Sequence, residues 1–165
     1  MRRLFAFIGY GNPDRQDDGV AWHILQALSL RVKCNITEIV EDICTEDPSP
    51  HLLFVPQITP DLAETCSKFD RVCFIDAHTG QLTEEIHWED IKPSYELSAF
   101  THHMTPALCL ELSRTIYGKI PRASLLSVRG YEFGFSRTLS NKTQLLAEQA
   151  LEVLLRLVDE ENVDE

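Results

Sequence analysis

Two acidic residues and one histidine, far apart in the chain, are the side chains whose types suggest chemistry. Asp18 follows the first predicted strand, Asp76 ends the third, and His103 precedes a predicted helix. Ligands of open α/β sheets collect at the carboxyl ends of the parallel strands, so this topology would bring the three to one edge. Two carboxylates placed together repel each other unless a proton or a cation lies between them. With an added imidazole, the set predicts a metal site.

One imidazole nitrogen and two carboxylate oxygens suit nickel, zinc or iron better than magnesium, which prefers oxygen ligands alone. Three protein ligands leave coordination positions open for a substrate group or water, as in catalytic or recognition sites. A second interpretation stays open at this point. Asp17 or Asp18 could cap a helix, Asp76 could cap a loop, and His103 could lie in solvent.

The elements that must position these side chains follow from hydrophobic periodicity. Strands are predicted at residues 4–8, 39–40, 71–77, 85–89 and 124–128, and helices from residue 20 and at about 60–67, 106–117 and 140–158. A proline-rich connection is expected over residues 47–59. Only residues 78–84 separate the third and fourth strands, whereas a helical crossover takes a dozen or more, so the fourth strand should run antiparallel. The sequence therefore predicts an α/β fold with a mixed sheet and helices on both faces.

The length and charge of the chain exclude several classes of protein. Its 165 residues suit one domain, assigned to residues 1–158, followed by an acidic tail at 159–165 that we expect to be disordered. A net charge of −11 disfavours binding to nucleic acid, because that affinity depends on Lys and Arg contacts with phosphates. No apolar run reaches the roughly 18 to 20 residues needed to cross a bilayer. We therefore expect a soluble, cytoplasmic protein that binds neither nucleic acid nor membranes.

The five cysteines form no CxxC pair. Their odd number and wide spacing fit neither a disulfide framework nor a zinc ribbon. They are expected to be reduced and mostly buried thiols.

The glycine-rich loop after the first strand also has two interpretations. Gly9 and Gly11 resemble the start of a dinucleotide fingerprint, but Asp14 occupies the place of its third glycine and further acids follow. A pyrophosphate there would meet like charge, so the glycines are expected to serve a tight turn and close backbone approach. The loop also resembles the start of peptidyl-tRNA hydrolases. However, residues 16–19 replace the threonine-arginine-histidine-asparagine stretch of that family, and its catalytic histidine is missing.

Across residues 4 to 158 the chain resembles the [NiFe]-hydrogenase maturation endopeptidases. The matching pieces stand in order as Ile8-Gly9-Tyr10-Gly11-Asn12, Asp17-Asp18-Gly19-Val20, Phe74-Ile75-Asp76-Ala77, Thr101-His102-His103, Gly118 with Pro121, and Thr138-Leu139-Ser140. The resemblance implies a three-layer α/β/α domain of the phosphorylase/hydrolase-like kind, with a five-stranded mixed sheet whose fourth strand is antiparallel. It also implies that Asp18, Asp76 and His103 bind nickel.

Three details bear on the assignment of these ligands. The first ligand is Glu in some relatives, so Asp18 has a shorter reach. His102 competes with His103, which is preferred because it holds the register of the family's ligand when counted back from Gly118 and Pro121. His78 lies two residues beyond Asp76 and is expected to be a surface histidine without a function. The alternative is that it contacts and supports a metal ligand without binding the metal itself.

The resemblance implies hydrolysis of one peptide bond, which removes a C-terminal extension from a hydrogenase large-subunit precursor after nickel insertion. The chain has no motif of a standard serine, cysteine or zinc protease. Our hypothesis is that nickel held by the precursor completes its coordination with the three ligands, with Asp18 and Asp76 as the catalytic aspartates and Asp18 or Asp17 as general base. A non-catalytic module that binds a metallated partner is the alternative from another class.

Overall fold

The computed structural model describes residues 3–95 and 103–163 and contains one sheet with helices on both faces. In chain order, the elements are β1 (Phe5–Tyr10), α1 (Val20–Val32), β2 (Ile36–Thr37), β3 (His51–Val55), α2 (Leu62–Ser67), β4 (Arg71–His78), β5 (Ile86–Ile91), α3 (Pro106–Tyr117), β6 (Arg122–Arg129) and α4 (Asn141–Val163). Two short 3₁₀ helices lie at Gln16–Gly19 and Val40–Asp42. No helix in the described ranges is long and apolar enough to cross a membrane.

The sheet has six strands in the order β2-β3-β1-β4-β6-β5. Every neighbouring pair is parallel except β5 with β6, which is antiparallel. The short connection between β4 and β5 cannot hold a crossover helix, and this accounts for the reversal. The predicted mixed α/β sheet is thus confirmed, with one strand more than the five expected.

The segment between α1 and α2 differs from the sequence prediction. The predicted strand at residues 39–40 is wrong, because β2 lies earlier at Ile36–Thr37 and Val40 begins a 3₁₀ helix. The connection predicted over residues 47–59 contains β3, which is buried along its whole length between β2 and β1. Pro50 and Pro56 flank β3 and do not interrupt it, so every residue of the strand keeps the N–H group that a central strand requires.

Alternating side chains of the strands build two cores, one on each face of the sheet. Phe7 packs in the core shared with α1 and α4, whereas the next residue, Ile8, packs in the core shared with α2 and α3. The same alternation on β4 places Phe74 and Ile75 in opposite cores. This two-residue period fixes which strand residues can reach a site on either face.

Helix α4 continues beyond its predicted end at residue 158 and runs to Val163. The expectation of a disordered tail is therefore wrong for residues 159–163, while 164–165 lie outside the described residues. Glu161 is buried in this last part of the helix, where its carboxylate pairs with the guanidinium of Arg71 on β4 and lies 3.8 Å from Nη1 of Arg3. A buried charge of this kind needs such partners, so the ion pairs hold the end of the helix against the sheet.

All five cysteines are free thiols. Cys66, Cys73 and Cys109 are buried, Cys34 is partly buried and Cys44 is exposed. The prediction of unpaired, mostly buried thiols is confirmed.

Candidate active site

A cleft of about 640 Å³ opens at the carboxyl ends of β1 and β4, the edge at which parallel strands of an α/β sheet present ligand sites. Asp18, Asp76 and His103 all line it. Tyr10 and Glu89 contribute further polar side chains to its wall. The three residues predicted from the sequence are therefore brought to the same cavity.

Asp76 lies within β4 on the same face as Phe74, two residues before the end of the strand. Its Oδ2 accepts a hydrogen bond from the hydroxyl of Tyr10 at 2.7 Å, and its Oδ1 accepts one from Oγ of Ser127 at 2.6 Å. Ser127 is the register partner of Asp76 on β6, so the sheet itself places this donor. The carboxylate is held on both oxygens, each of which keeps a lone pair for another ligand.

The environment of Asp76 disfavours its charged form. Burial is the largest cause and raises the pKa of the carboxyl group to about 6, although the hydrogen bonds from Ser127 and Tyr10 lower it in part. The negative charges of Glu89 and Asp18 raise it further. A cation in the cleft would offset the free-energy cost of burying the charged carboxylate and would reduce the repulsion between the carboxylates.

Asp18 belongs to the 3₁₀ helix between β1 and α1, and its Oδ2 accepts a hydrogen bond from the backbone N–H of Asn12 at 2.8 Å. The loop can fold back this closely only because Gly11 has φ +137°, and a Cβ there would lie 2.2 Å from the carbonyl oxygen of Asp18. At Gly9 a Cβ would lie 2.7 Å from Cδ1 of Leu25 on α1. The glycines thus serve the turn and the close packing expected of them.

Asp17, one residue before Asp18, is wholly buried and has a different role. Its carboxylate accepts hydrogen bonds from the backbone N–H groups of Tyr131, Glu132 and Ser140 and from the hydroxyls of Ser140 and Thr143, at 2.7 to 2.9 Å. Burial alone would raise the pKa of Asp17, but these bonds, led by that of Ser140, lower it below its usual value. Asp17 therefore stabilises the start of α4, and its commitment to these donors argues against the general-base role considered for it.

His103 is exposed and precedes α3. Thr105 fixes the start of that helix, because its Oγ1 accepts a hydrogen bond from the N–H of Leu108 at 3.2 Å and Pro106 occupies the first turn. His102 lies outside the described residues, so the preference for His103 over His102 stays a prediction.

The three predicted ligands share the cleft without forming a closed metal cage. Within residues 3–95 and 103–163, no group of three or more His, Cys, Asp or Glu side chains lies close enough together to hold an ion. The donors present fit a borderline divalent ion, because Asp76 and Asp18 offer oxygens and His103 an imidazole nitrogen. Nickel binding by this set remains a prediction.

Sequence reasoning missed several polar residues at or near the cleft. Ser127 and Glu89 lie on strands that were predicted, but their nearness to Asp76 depends on strand order and register, which periodicity does not determine. His78 is wrongly predicted to lie on the surface: it is 2% exposed, and its Nδ1 accepts a hydrogen bond from the N–H of Gly80 at 3.3 Å. Burial lowers the pKa of His78, which favours its neutral form.

Comparisons with protein-family models and with curated protein sequences each found no match. Solved structures do match. Hydrogenase maturating endopeptidase HybD from E. coli is similar with a TM-score of 0.68 and 20% identity over 97% of this chain and 93% of that protein. The [NiFe] hydrogenase maturation protease HycI from Thermococcus kodakarensis gives a TM-score of 0.67 and 16% identity over 96% and 94% of the two chains.

A third similar structure is the [NiFe] hydrogenase maturation protease HybD from Thermococcus kodakarensis, with a TM-score of 0.64 and 19% identity over 95% of this chain and 99% of that protein. The likeness extends over almost the whole of each molecule. The chain therefore has the fold of the [NiFe] hydrogenase maturation proteases, as the sequence resemblance implied.

Proposed function

We propose that this chain is an endopeptidase that removes the C-terminal extension of a [NiFe]-hydrogenase large-subunit precursor. The observation that carries the proposal is the meeting of Asp18, Asp76 and His103 in one cleft of a chain with the maturation-protease fold. Two carboxylates and an imidazole at the edge of the sheet have the chemistry to hold a divalent ion with open positions.

Nickel enters this proposal as part of the substrate. A precursor that already holds nickel at its cysteine-rich site would present the ion to the cleft, where Asp18, Asp76 and His103 complete its coordination. Binding through the ion positions the scissile bond and polarises its carbonyl group. A precursor without nickel would lack the group that docks it, so processing would follow metal insertion.

Tyr10 and Ser127 prepare Asp76 for this role. Their hydroxyls donate to opposite oxygens of the carboxylate, which fixes its plane before the substrate arrives. Preorganised ligands lose less conformational freedom on binding an ion than mobile ones. Such groups act by positioning Asp76.

The acidic character of the chain favours a partner protein with basic residues near its cleavage point. With 26 acidic and 15 basic residues, the chain attracts positive charge and repels nucleic acid. Raised salt should slow association if this attraction steers the encounter.

The decisive experiment mixes the chain with nickel-loaded and nickel-free precursor and follows the precursor mass. We expect a shortened precursor only in the nickel-loaded sample. Alanine at Asp18, Asp76 or His103 should abolish the shortening while the variants stay folded, and alanine at the exposed Asp14 is the matched control. Stable association of the two proteins without any loss of mass would instead identify a binding module, and equal cleavage of both precursors would exclude recognition through nickel.

A further inference from the structure

Strand β5 carries two adjacent acidic residues, Glu89 on the face of the sheet that forms the cleft and Asp90 on the opposite face. Ile91 packs against the core on the cleft side of the sheet, whereas Trp88 packs against the opposite core. Because side chains alternate along a strand, Glu89 shares the face of Ile91 and Asp90 shares the face of Trp88. Glu89 indeed lines the cleft, and Asp90 does not.

Glu89 and Asp76 line the same cleft from two different strands of the sheet. Strand β6 lies between β4 and β5, so the backbones that carry the two carboxylates are two strand spacings apart across the sheet. They are also offset by two residues along the strands, because Ser127 on β6 pairs with Asp76 and with His87, which gives a separation of about 12 Å. Leu125, the register partner of Glu89 on β6, also lines the cleft between them. This separation leaves room for a peptide bond and a water molecule.

A histidine on the same strand also orients the side chain of Glu89. Nε2 of His87 lies 3.8 Å from Oε2 of Glu89, while Nδ1 of His87 lies 3.3 Å from Oε2 of Glu84. The imidazole therefore stands between two carboxylates. The side chain of Glu89 is 53% exposed, so water can reach it.

We propose that Glu89 is the general base that activates the attacking water in the peptide-bond cleavage proposed above, on which this inference rests. Asp76 is already held on both oxygens by Tyr10 and Ser127, and Asp18 by the N–H of Asn12. Glu89 has no part in the predicted ligand set, yet it lies on the wall of the same cleft. Because Asp18 and Asp76 are nickel ligands in the proposed function, Glu89 is the carboxylate of this wall that we assign to proton exchange with water.

The chemical step needs no further reactant than the peptide and water. Glu89 takes a proton from water as the water oxygen bonds to the scissile carbonyl carbon, whose π electrons move onto the carbonyl oxygen. As the tetrahedral species collapses, the C–N bond breaks, and the proton passes from Glu89 to the leaving nitrogen. One peptide bond and one water become a carboxyl group and an amine, and Glu89 is restored.

The test measures kcat and KM for nickel-loaded precursor in the wild-type chain and in Glu89→Gln, with Asp90→Asn as the matched control on the other face of the same strand. Proton transfer by a positioned base contributes about 100-fold to 10,000-fold. We expect Glu89→Gln to lose at least about 100-fold in kcat with KM unchanged, and Asp90→Asn to keep wild-type values. Glu89→Asp, which retains a carboxylate, should recover at least about ten-fold of the lost kcat.

Three results would overturn the role of Glu89. These are a kcat for Glu89→Gln within about ten-fold of wild type, an equal loss in Asp90→Asn, and equal kcat values for Glu89→Gln and Glu89→Asp. Each leaves the proposed function standing, because the wild-type chain still cleaves. Failure of the wild-type chain to cleave nickel-loaded precursor would overturn both proposals.

Discussion

Replacing Asp17 by alanine should destabilise the domain severely, because four donors then lose this buried acceptor, two at Ser140 and one each at Tyr131 and Glu132. The hydroxyl of Thr143 keeps the carbonyl oxygen of Arg129 as its acceptor. A buried donor left without a partner costs about 1–3 kcal/mol, and bonds to charged acceptors are the stronger kind. The four losses are not additive, since the donors share one network. We expect the free energy of unfolding to fall by at least about 4 kcal/mol, a large part of the 5–15 kcal/mol typical of a domain.

The dependence on pH distinguishes this mechanism from simple loss of packing. The pKa of Asp17 is lower in the folded chain than in the unfolded chain, where about 3.9 is usual. Its contribution to stability is therefore complete above pH about 4 and is lost as the pH falls through the folded-state pKa. In Asp17→Asn, which keeps the shape but not the charge, this contribution should be absent at every pH.

Urea unfolding between pH 3 and pH 7 measures both effects. The difference in unfolding free energy between wild type and Asp17→Asn should be largest near neutral pH and shrink towards pH 3. Asp14→Ala is the control, because its ion pair with Arg137 is exposed and worth about 0–1 kcal/mol. A loss below about 1 kcal/mol in Asp17→Ala, or a difference that does not change with pH, would refute the reasoning.

Three further substitutions test other contacts. Tyr10→Phe removes one donor to Asp76 and should lower the rate of precursor processing by about ten-fold or more with the fold intact, as measured by mass and circular dichroism; an unchanged rate would exclude the positioning role. Gly11→Ala forces a Cβ against the carbonyl oxygen of Asp18 and should lower the urea midpoint, whereas a wild-type midpoint would contradict the strained turn. Arg71→Ala leaves Glu161 buried with Arg3, 3.8 Å away, as its remaining ion-pair partner in the described part of the chain, and should cost about 3–5 kcal/mol in urea unfolding; a cost below about 1 kcal/mol would show that α4 does not depend on the pair with Arg71.

Local signals in the sequence were enough to predict the elements whose first and last residues are marked by particular residue types. Helix α3 runs over the predicted residues 106–117 because Pro106 suits its first turn and Gly118, with φ +70°, ends it. The reversal of β5 followed from the length of one connection. The convergence of Asp18, Asp76 and His103 on one cleft followed from the rule that parallel strands present their carboxyl ends at the same edge.

Features that depend on distant parts of the chain could not be predicted in this way. Asp17 and Asp18 are adjacent and chemically alike, yet only the contact with Ser140 shows that Asp17 serves the start of α4. The last turn of α4 is ordered by Arg71, which lies 90 residues away. The nearness of Glu89 to Asp76 depends on β6 being inserted between their strands.

The central claim is that Asp18, Asp76 and His103 become ligands of the nickel carried by the precursor. X-ray absorption at the nickel edge tests it directly, with a precursor whose cleavage site is blocked by substitution. Adding the wild-type chain should introduce new oxygen and nitrogen neighbours around nickel, and adding the Asp76→Ala variant should introduce fewer. Identical spectra for the precursor alone and for its complex with the wild-type chain would contradict the account.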